Sequence, residues 1–232
     1  MAKKLWMQRF AKWHIWLGWL VGVPVVMWTV TGLVMVAKPI EEVRGNHLRE
    51  EAEEQALPSD TNIAVILPDR SDKPVRSVTT AMQGKRPITS FAYMDGSIER
   101  FGPDGSLLPL VGEVEARIIV ADQIVGGDKV VSSAFFRKDA VPFDFRREMP
   151  VWQIALEDGT HVYVNQQTGE IAAVRTQWWR LFDFMWGLHI MDLQDREDTS
   201  HPILILFAAL GVIGSLLGCI LMFRRRKARV NA

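Results

Sequence analysis

The sequence predicts an α+β protein. Two transmembrane helices, a hairpin with both termini cytoplasmic, flank a periplasmic domain of antiparallel sheet plus one main helix. Three observations predict it. Trp13 to Ala37 and Pro202 to Phe223 contain no Asp, Glu, Lys or Arg, and each exceeds the roughly 20 residues a helix needs to cross a bilayer core. Basic residues cluster at the chain's two ends, with no acid in either cluster. Between the apolar stretches, Asp-Gly turn signals separate short alternating runs, as in hairpins.

The elements follow in order. Residues 1–12 form a basic N-terminus carrying Lys3, Lys4, Arg9 and Lys12, and residues 224–232 a basic tail with Arg224, Arg225, Arg226, Lys227 and Arg229. The positive-inside rule puts both ends in the cytoplasm, so the bulk of the chain is expected in the periplasm of a bacterium, anchored in the inner membrane. Residues 13–37 are the first span. Its apolar core is longer than the 7–15 residues of a signal peptide, and no A-x-A cleavage pattern follows, so an uncleaved anchor is expected. Residues 38–74, with EEVRGNHLREEAEEQALPSD, read as a solvated helix and a linker, with no special role for His47.

Residues 75–176 form the outer domain. Asp95-Gly96 and Asp104-Gly105 mark turns in FAYMDGSIERFGPDGSLLPL. GEVEARIIVADQIVGG reads as one amphipathic helix stopping at Gly126-Gly127. KVVSSAFFRK, VWQIALEDG, THVYVNQQTG and EIAAVRT read as strands, with Asp158-Gly159 and Gln167-Thr168-Gly169 turning the chain. His161 shares a strand face with Tyr163 and Asn165, opposite Val162 and Val164, and is expected to face solvent. Residues 177–200 are an interfacial aromatic helix and an acidic loop, with Trp178, Trp179 and Trp186 at headgroup depth. Residues 201–223 are the second span, with Pro202 at the first helical position.

Acidic and basic residues balance at 27 each, so net charge predicts no nucleic-acid partner. The one cysteine, Cys219, lies inside the second span. It reads as a packing residue and excludes a thiolate metal site. No G-x-S-x-G, H-E-x-x-H or G-x-G-x-x-G is present, so the chain carries no complete catalytic site and no flavin or nicotinamide site. The acidic loop lacks the glycine and spacing of a calcium-binding EF-hand.

VWQIALEDGTHVYVNQQTGEIAAV, with the helix GEVEARIIVADQI before it, resembles the PepSY domain. PITSFAYMDGSIERFGPDGSLL resembles the leading hairpin of PepSY-associated transmembrane proteins. The H-x-W-x-G of His14, Trp16 and Gly18 resembles the first helix of that family, and F-D-F-x-W-x-L-H-x-M-D around His189 a signature before the last span. The resemblance covers most of residues 5–225. It implies peptidase inhibition, extracytoplasmic regulation or, in membrane-bound members, ferric-siderophore and flavin-linked reduction. The larger reductases hold b-type haem between helix histidines, which makes His14, His189 and His201 candidate haem ligands.

Helical spacing adds a physical side. His14, Gly18, Val21/Gly22, Val25, Thr29 and Gly32 are expected on one face of the first span. His201, Leu204, Ala208, Gly211, Ser215 and Gly218 are expected on one face of the second. Gly18-x-x-x-Gly22 and Gly214-x-x-x-Gly218 suit close helix packing. His14 and His201 sit at opposite ends of the spans, roughly 30 Å apart, and cannot share an iron within one chain. His189 and His201 can both lie at the outer face. A homodimer would restore the four helices of the larger reductases. The expectations are thus a haem b electron-transfer subunit or a non-catalytic accessory, assembly or regulatory subunit. Its partners would be membrane lipid and a second copy or a larger membrane complex.

Overall fold

The computed structural model describes residues 2–50, 56–57, 73–83 and 86–230, with side chains at 6–50, 56–57, 73–83 and 86–223. In chain order the elements are α1 (Ala2–Val36), α2 (Ile40–Val43), β1 (Val75–Gln83), β2 (Arg86–Tyr93), β3 (Ile98–Phe101), α3 (Glu113–Gln123), β4 (Val130–Phe136), β5 (Val151–Leu156), β6 (His161–Asn165), β7 (Ile171–Arg175), α4 (Gln177–Ile190) and α5 (Pro202–Val230). They divide into two units: Met1–Pro39 with Arg180–Ala232, and Ile40–Trp179.

In the first unit Trp6–Val36 and Pro202–Phe223 are long and apolar enough to cross a membrane. Only 11% and 6% of their most apolar windows are buried within the chain, unlike a soluble core helix, which is covered all round. α1 runs through Pro24 unbroken. The two helices are antiparallel: Gly214 lies against Leu17, and Gly218 against His14.

The seam differs from the expected stripes. On α1 the half-buried or buried positions include His14, Leu17, Val21, Pro24, Trp28 and Thr31, whereas Gly18, Val25 and Thr29 are exposed. On α5 they include Leu204, Phe207, Gly211, Gly214, Gly218 and Leu221, whereas Ala208 and Ser215 are exposed. Both series step by three and four alternately, the 3.5-residue period of left-handed helix pairs. Stepping by fours at the start of α1 carried the sequence-based stripe off that seam. Cys219 is exposed rather than packed.

The second unit holds two antiparallel sheets where one was expected, ordered β1-β2-β3 and β4-β5-β6-β7. After β3 the chain turns at Asp104-Gly105, where Ser106 N–H and Oγ both bond Asp104 Oδ1, and Pro109 lies in the irregular stretch leading to α3. α3 starts at Gly112 in extended conformation with Glu113 and Glu115 in its first turn, where carboxylates favour the helix dipole. Its buried face, Ala116, Ile119 and Val120, covers one side of the four-stranded sheet. Ile154, Val162, Val164 and Val174 share that core, each at 1% exposure or less and each worth about 1.5–3 kcal/mol of burial. The helix ends where Gly127 turns back under it. A Cβ there would lie 2.0 Å from the Val120 carbonyl oxygen, so only glycine fits.

The three-stranded sheet is tied to α3 through Arg100, 3% exposed. Its guanidinium donates to Glu115, Gln83 and the Pro109 carbonyl, which satisfies a charge that could not be buried alone. Residues 40–50, expected to be solvated, dock on this unit. Val43 is 1% exposed. Gly45, at φ +74°, sits so close to Val174 that a Cβ would approach its side chain to 2.8 Å. Arg49 bridges Ile124. The charged composition hid two apolar contacts. Residues 51–55 and 58–72 of the expected linker lie outside the described residues.

Candidate functional site

The first unit brings two of the three candidate histidines into defined positions. His14 Nδ1 lies 3.1 Å from the Gly214 carbonyl oxygen of α5. A carbonyl only accepts, so His14 Nδ1 carries the proton. The imidazole rests on Gly218, where a Cβ would lie 2.9 Å from Cε1 and 3.4 Å from Nε2. Gly218 of α5 thus leaves the room that the imidazole of α1 fills, whereas a Cβ at Gly214 would meet Leu17, at 3.9 Å. An added Cβ at Gly18 or Gly22 would meet nothing within 4 Å.

His189 lies in the last turn of α4. Its Nδ1 is 2.8 Å from Thr31 Oγ1, and Trp28 Nε1 donates to its backbone carbonyl at 2.8 Å. Both partners belong to α1. Thr31 is 2% exposed, and its hydroxyl also contacts the Met27 carbonyl at 2.8 Å. The partner of His189 is this hydroxyl and not a carboxylate of the acidic loop. Asp192 instead organises its own loop, accepting N–H bonds from Asp195, Glu197 and Asp198. The loop is further tied by a buried ion pair, Asp183–Arg196, and by Trp186 Nε1 donating to the Arg196 carbonyl.

His201 precedes α5 and its carbonyl accepts the Ile205 N–H. Its Nδ1 is buried with no hydrogen-bond partner among the described residues. Extending the His14–Gly218 and Leu17–Gly214 register along the hairpin brings the α1 turn at Thr31 level with the start of α5. His189 and His201 therefore belong to the same end of the unit. His14 lies about 25 Å away, seventeen residues down α1 from Thr31, so it cannot share a metal with either. Among the described residues no group of three or more His, Cys, Asp or Glu is placed to hold a metal ion.

The donor chemistry at His14 and at His189 is of the kind a haem iron would take. In each, Nδ1 bonds to a neutral partner on a neighbouring helix, the arrangement that orients a ligating imidazole and fixes its tautomer. Nε2 is then the remaining ligating atom.

The second unit contains a site that sequence reasoning placed in solvent. The segment 141–149 covers the sheet face opposite α3, with Phe145 stacked on Tyr163 at 4.7 Å. Tyr163 is fully buried. Asp144 accepts from Tyr163 Oη at 2.6 Å and from His161 Nδ1 at 3.2 Å. Gln153 donates to Tyr163 Oη, and Arg175 Nε to the Asp144 carbonyl. Burial pushes the Asp144 carboxyl up, but the bonds from His161 and Tyr163 outweigh it and hold the group below its ordinary value. Burial, then the bond to Asp144, push the Tyr163 hydroxyl up. Period-two alternation put His161 and Tyr163 on one face correctly, but it does not say which faces a loop will cover. The signal available was FDFRR, apolar residues flanking an acid beside the strands. His47 is exposed.

Two apolar helices, barely buried by the rest of the chain, and two antiparallel sheets define a membrane-associated α+β protein. The sequence signature of the PepSY-associated TM region matches residues 11–232, and the chain belongs to that family. It matches no curated protein and no solved structure.

Proposed function

We propose that the chain is an electron-transfer subunit of the bacterial inner membrane, holding haem b at His14 and at His189. The second unit would face the periplasm, and the reaction served would be iron, siderophore or flavin reduction. One observation carries the reading: both imidazoles are held through Nδ1 by neutral partners on a neighbouring helix, and Nε2 is left for a ligand. Ionisable side chains at membrane depth favour a functional role. Haem b, when bound, supplies a one-electron carrier. The chain's own residues set its position. Gly218 gives the His14 ring its space, while Thr31 and Trp28 hold His189. The two positions are about 25 Å apart along the direction of α1, so that one would lie near each membrane face. A second copy of the chain, bringing its own two helices, would supply the further axial ligands; His201 is the alternative second ligand at the outer end.

The test is a reduced-minus-oxidised spectrum of the full chain purified in detergent. A b-type Soret and α band is expected, with the outer-site share lost in His189→Ala. A colourless, stably folded preparation from haem-replete cells overturns the reading.

A second reading is an accessory or regulatory subunit that docks on another envelope protein through the sheet unit. It is favoured by Leu110, Val114 and Ile118, 56%, 72% and 55% exposed along the outer side of α3 and its approach, beside the unpaired edge of β4. Co-purification of a stoichiometric partner with a haem-free chain, lost in Val114→Asp/Ile118→Asp, is its expected outcome.

A further inference from the structure

We infer that Thr31 is the positioning residue of His189: it locks the imidazole as the Nδ1–H tautomer and presents Nε2 to a metal. The inference deepens the assignment of His189 as a haem ligand and rests on it for its biological meaning, but its geometry stands apart from any bound group.

The argument turns on where the protons go. Thr31 has one hydroxyl proton and two neighbours that compete for it. The Met27 carbonyl lies 2.8 Å from Oγ1 and the Trp28 carbonyl 3.2 Å, while His189 Nδ1 lies at 2.8 Å. If the proton points to Met27, Oγ1 has lone pairs free for a proton on Nδ1. The chain then runs in one direction, from His189 Nδ1–H to Thr31 Oγ1–H to the Met27 carbonyl, with every proton placed. If the proton points to His189 instead, the ring proton must sit on Nε2. No acceptor for that proton is found among the described residues. The first arrangement makes two hydrogen bonds between protein groups, Nδ1–H to Oγ1 and Oγ1–H to the Met27 carbonyl, and the second makes one. The first arrangement therefore prevails, and the one unfilled position of the ring is the Nε2 lone pair.

The setting strengthens the lock. Thr31 is 2% exposed, so water does not compete for its hydroxyl, and hydrogen bonds are stronger where the surroundings are apolar. Trp28, one residue earlier in chain order than Thr29 and three before Thr31, fixes the backbone of His189 by donating Nε1–H to its carbonyl. Ring and backbone are thus both held by a single turn of α1. Gly32 completes the seat: its Cα side lies toward the ring, and even a Cβ there would clear Cε1 at 3.8 Å. His14 obtains the same tautomer from a backbone carbonyl, which no side-chain substitution can remove. Thr31 is therefore the point at which one site can be altered without touching the other.

The experiment uses the full chain, haem-free, in lipid nanodiscs, with ¹⁵N-labelled histidine. Long-range ¹H–¹⁵N spectra separate the two neutral tautomers, and His189→Gln identifies the His189 signals. The wild-type ring is expected as Nδ1–H. Thr31→Val, which keeps the shape and removes the hydroxyl, is expected to shift the tautomer ratio toward Nε2–H by about fivefold, as one net hydrogen bond would. Thr31→Ser is expected to restore the wild-type pattern. A wild-type Nε2–H ring, or a pattern unchanged in Thr31→Val, overturns the inference. The readout needs no haem, so the expected tautomer in a chain that purifies colourless from haem-replete cells would sink the cofactor reading alone.

Discussion

Two histidines, one in each unit, have their Nδ1 engaged by opposite kinds of partner. His161 of the sheet unit donates to a carboxylate, Asp144. His189 of the helical unit donates to a hydroxyl, Thr31. The difference is chemical. A carboxylate is a charged acceptor, and it ties the His161 ring into the Asp144–Tyr163 hydrogen-bond network. A hydroxyl or carbonyl orients the ring without adding charge, which suits an apolar setting. The residue type is the same in both units, and the partner sets the electrostatic surroundings of the ring.

The largest expected effect that tests this contrast comes from the helical unit's own carboxylate. Asp183 is 6% exposed and paired with Arg196. Asp183→Ala leaves the half-buried Arg196 guanidinium without this carboxylate and is expected to cost about 3 kcal/mol, seen as a lower unfolding temperature of the full chain by circular dichroism. A change below about 1 kcal/mol would mean that the loop after α4 is not held by this pair.

In the sheet unit, Asp144→Asn is expected to cost about 2 kcal/mol, the scale of a charged hydrogen-bonded group. It also carries a pH signature. The Asp144 carboxyl is held below its ordinary value of 3.8, so its contribution is present above that pH and is lost as pH falls through the depressed folded value. The wild type should lose stability in that acid window, and Asp144→Asn should lose less. Equal acid slopes in the two proteins would remove Asp144 from the account.

The finest test compares two glycines in the helical unit. Gly218→Ala puts a Cβ 2.9 Å from His14 Cε1, while Gly32→Ala puts one 3.8 Å from His189 Cε1. The first should cost about 1–3 kcal/mol by overpacking and displace His14 from the Gly214 carbonyl. The second should change stability by less than about 0.5 kcal/mol. Equal unfolding temperatures for the two variants would contradict the seam.

Much of this was legible beforehand, for identifiable reasons. Charge-free length marked both spans. Asp-Gly turns marked the hairpins, because Asp95 and Asp158 each accept the N–H two residues on, an interaction within four residues of chain. The histidines stood out as ionisable groups in or beside apolar sequence. What stayed hidden was long-range. Thr31 and His189 are 158 residues apart in sequence, and nothing local marks a threonine as a histidine's partner. The covering of His161 by residues 141–149 depends on a loop that packs Val141, Phe145 and Met149 on the sheet, and nothing local says which strand face such a loop will cover. The seam between α1 and α5 differed from the expected stripes by one residue at its start, and one residue on a helix is a rotation of about 100°.

The contact between Gly45 and Val174 has a last consequence. The strand of chain that enters the sheet unit touches β7, the final strand before the chain leaves it. Entry and exit are therefore neighbours, and the whole of residues 46–173 is a closed excursion. Such a cassette can be shortened, lengthened or exchanged without changing the distance its two ends must bridge, which is the condition under which inserted domains are tolerated.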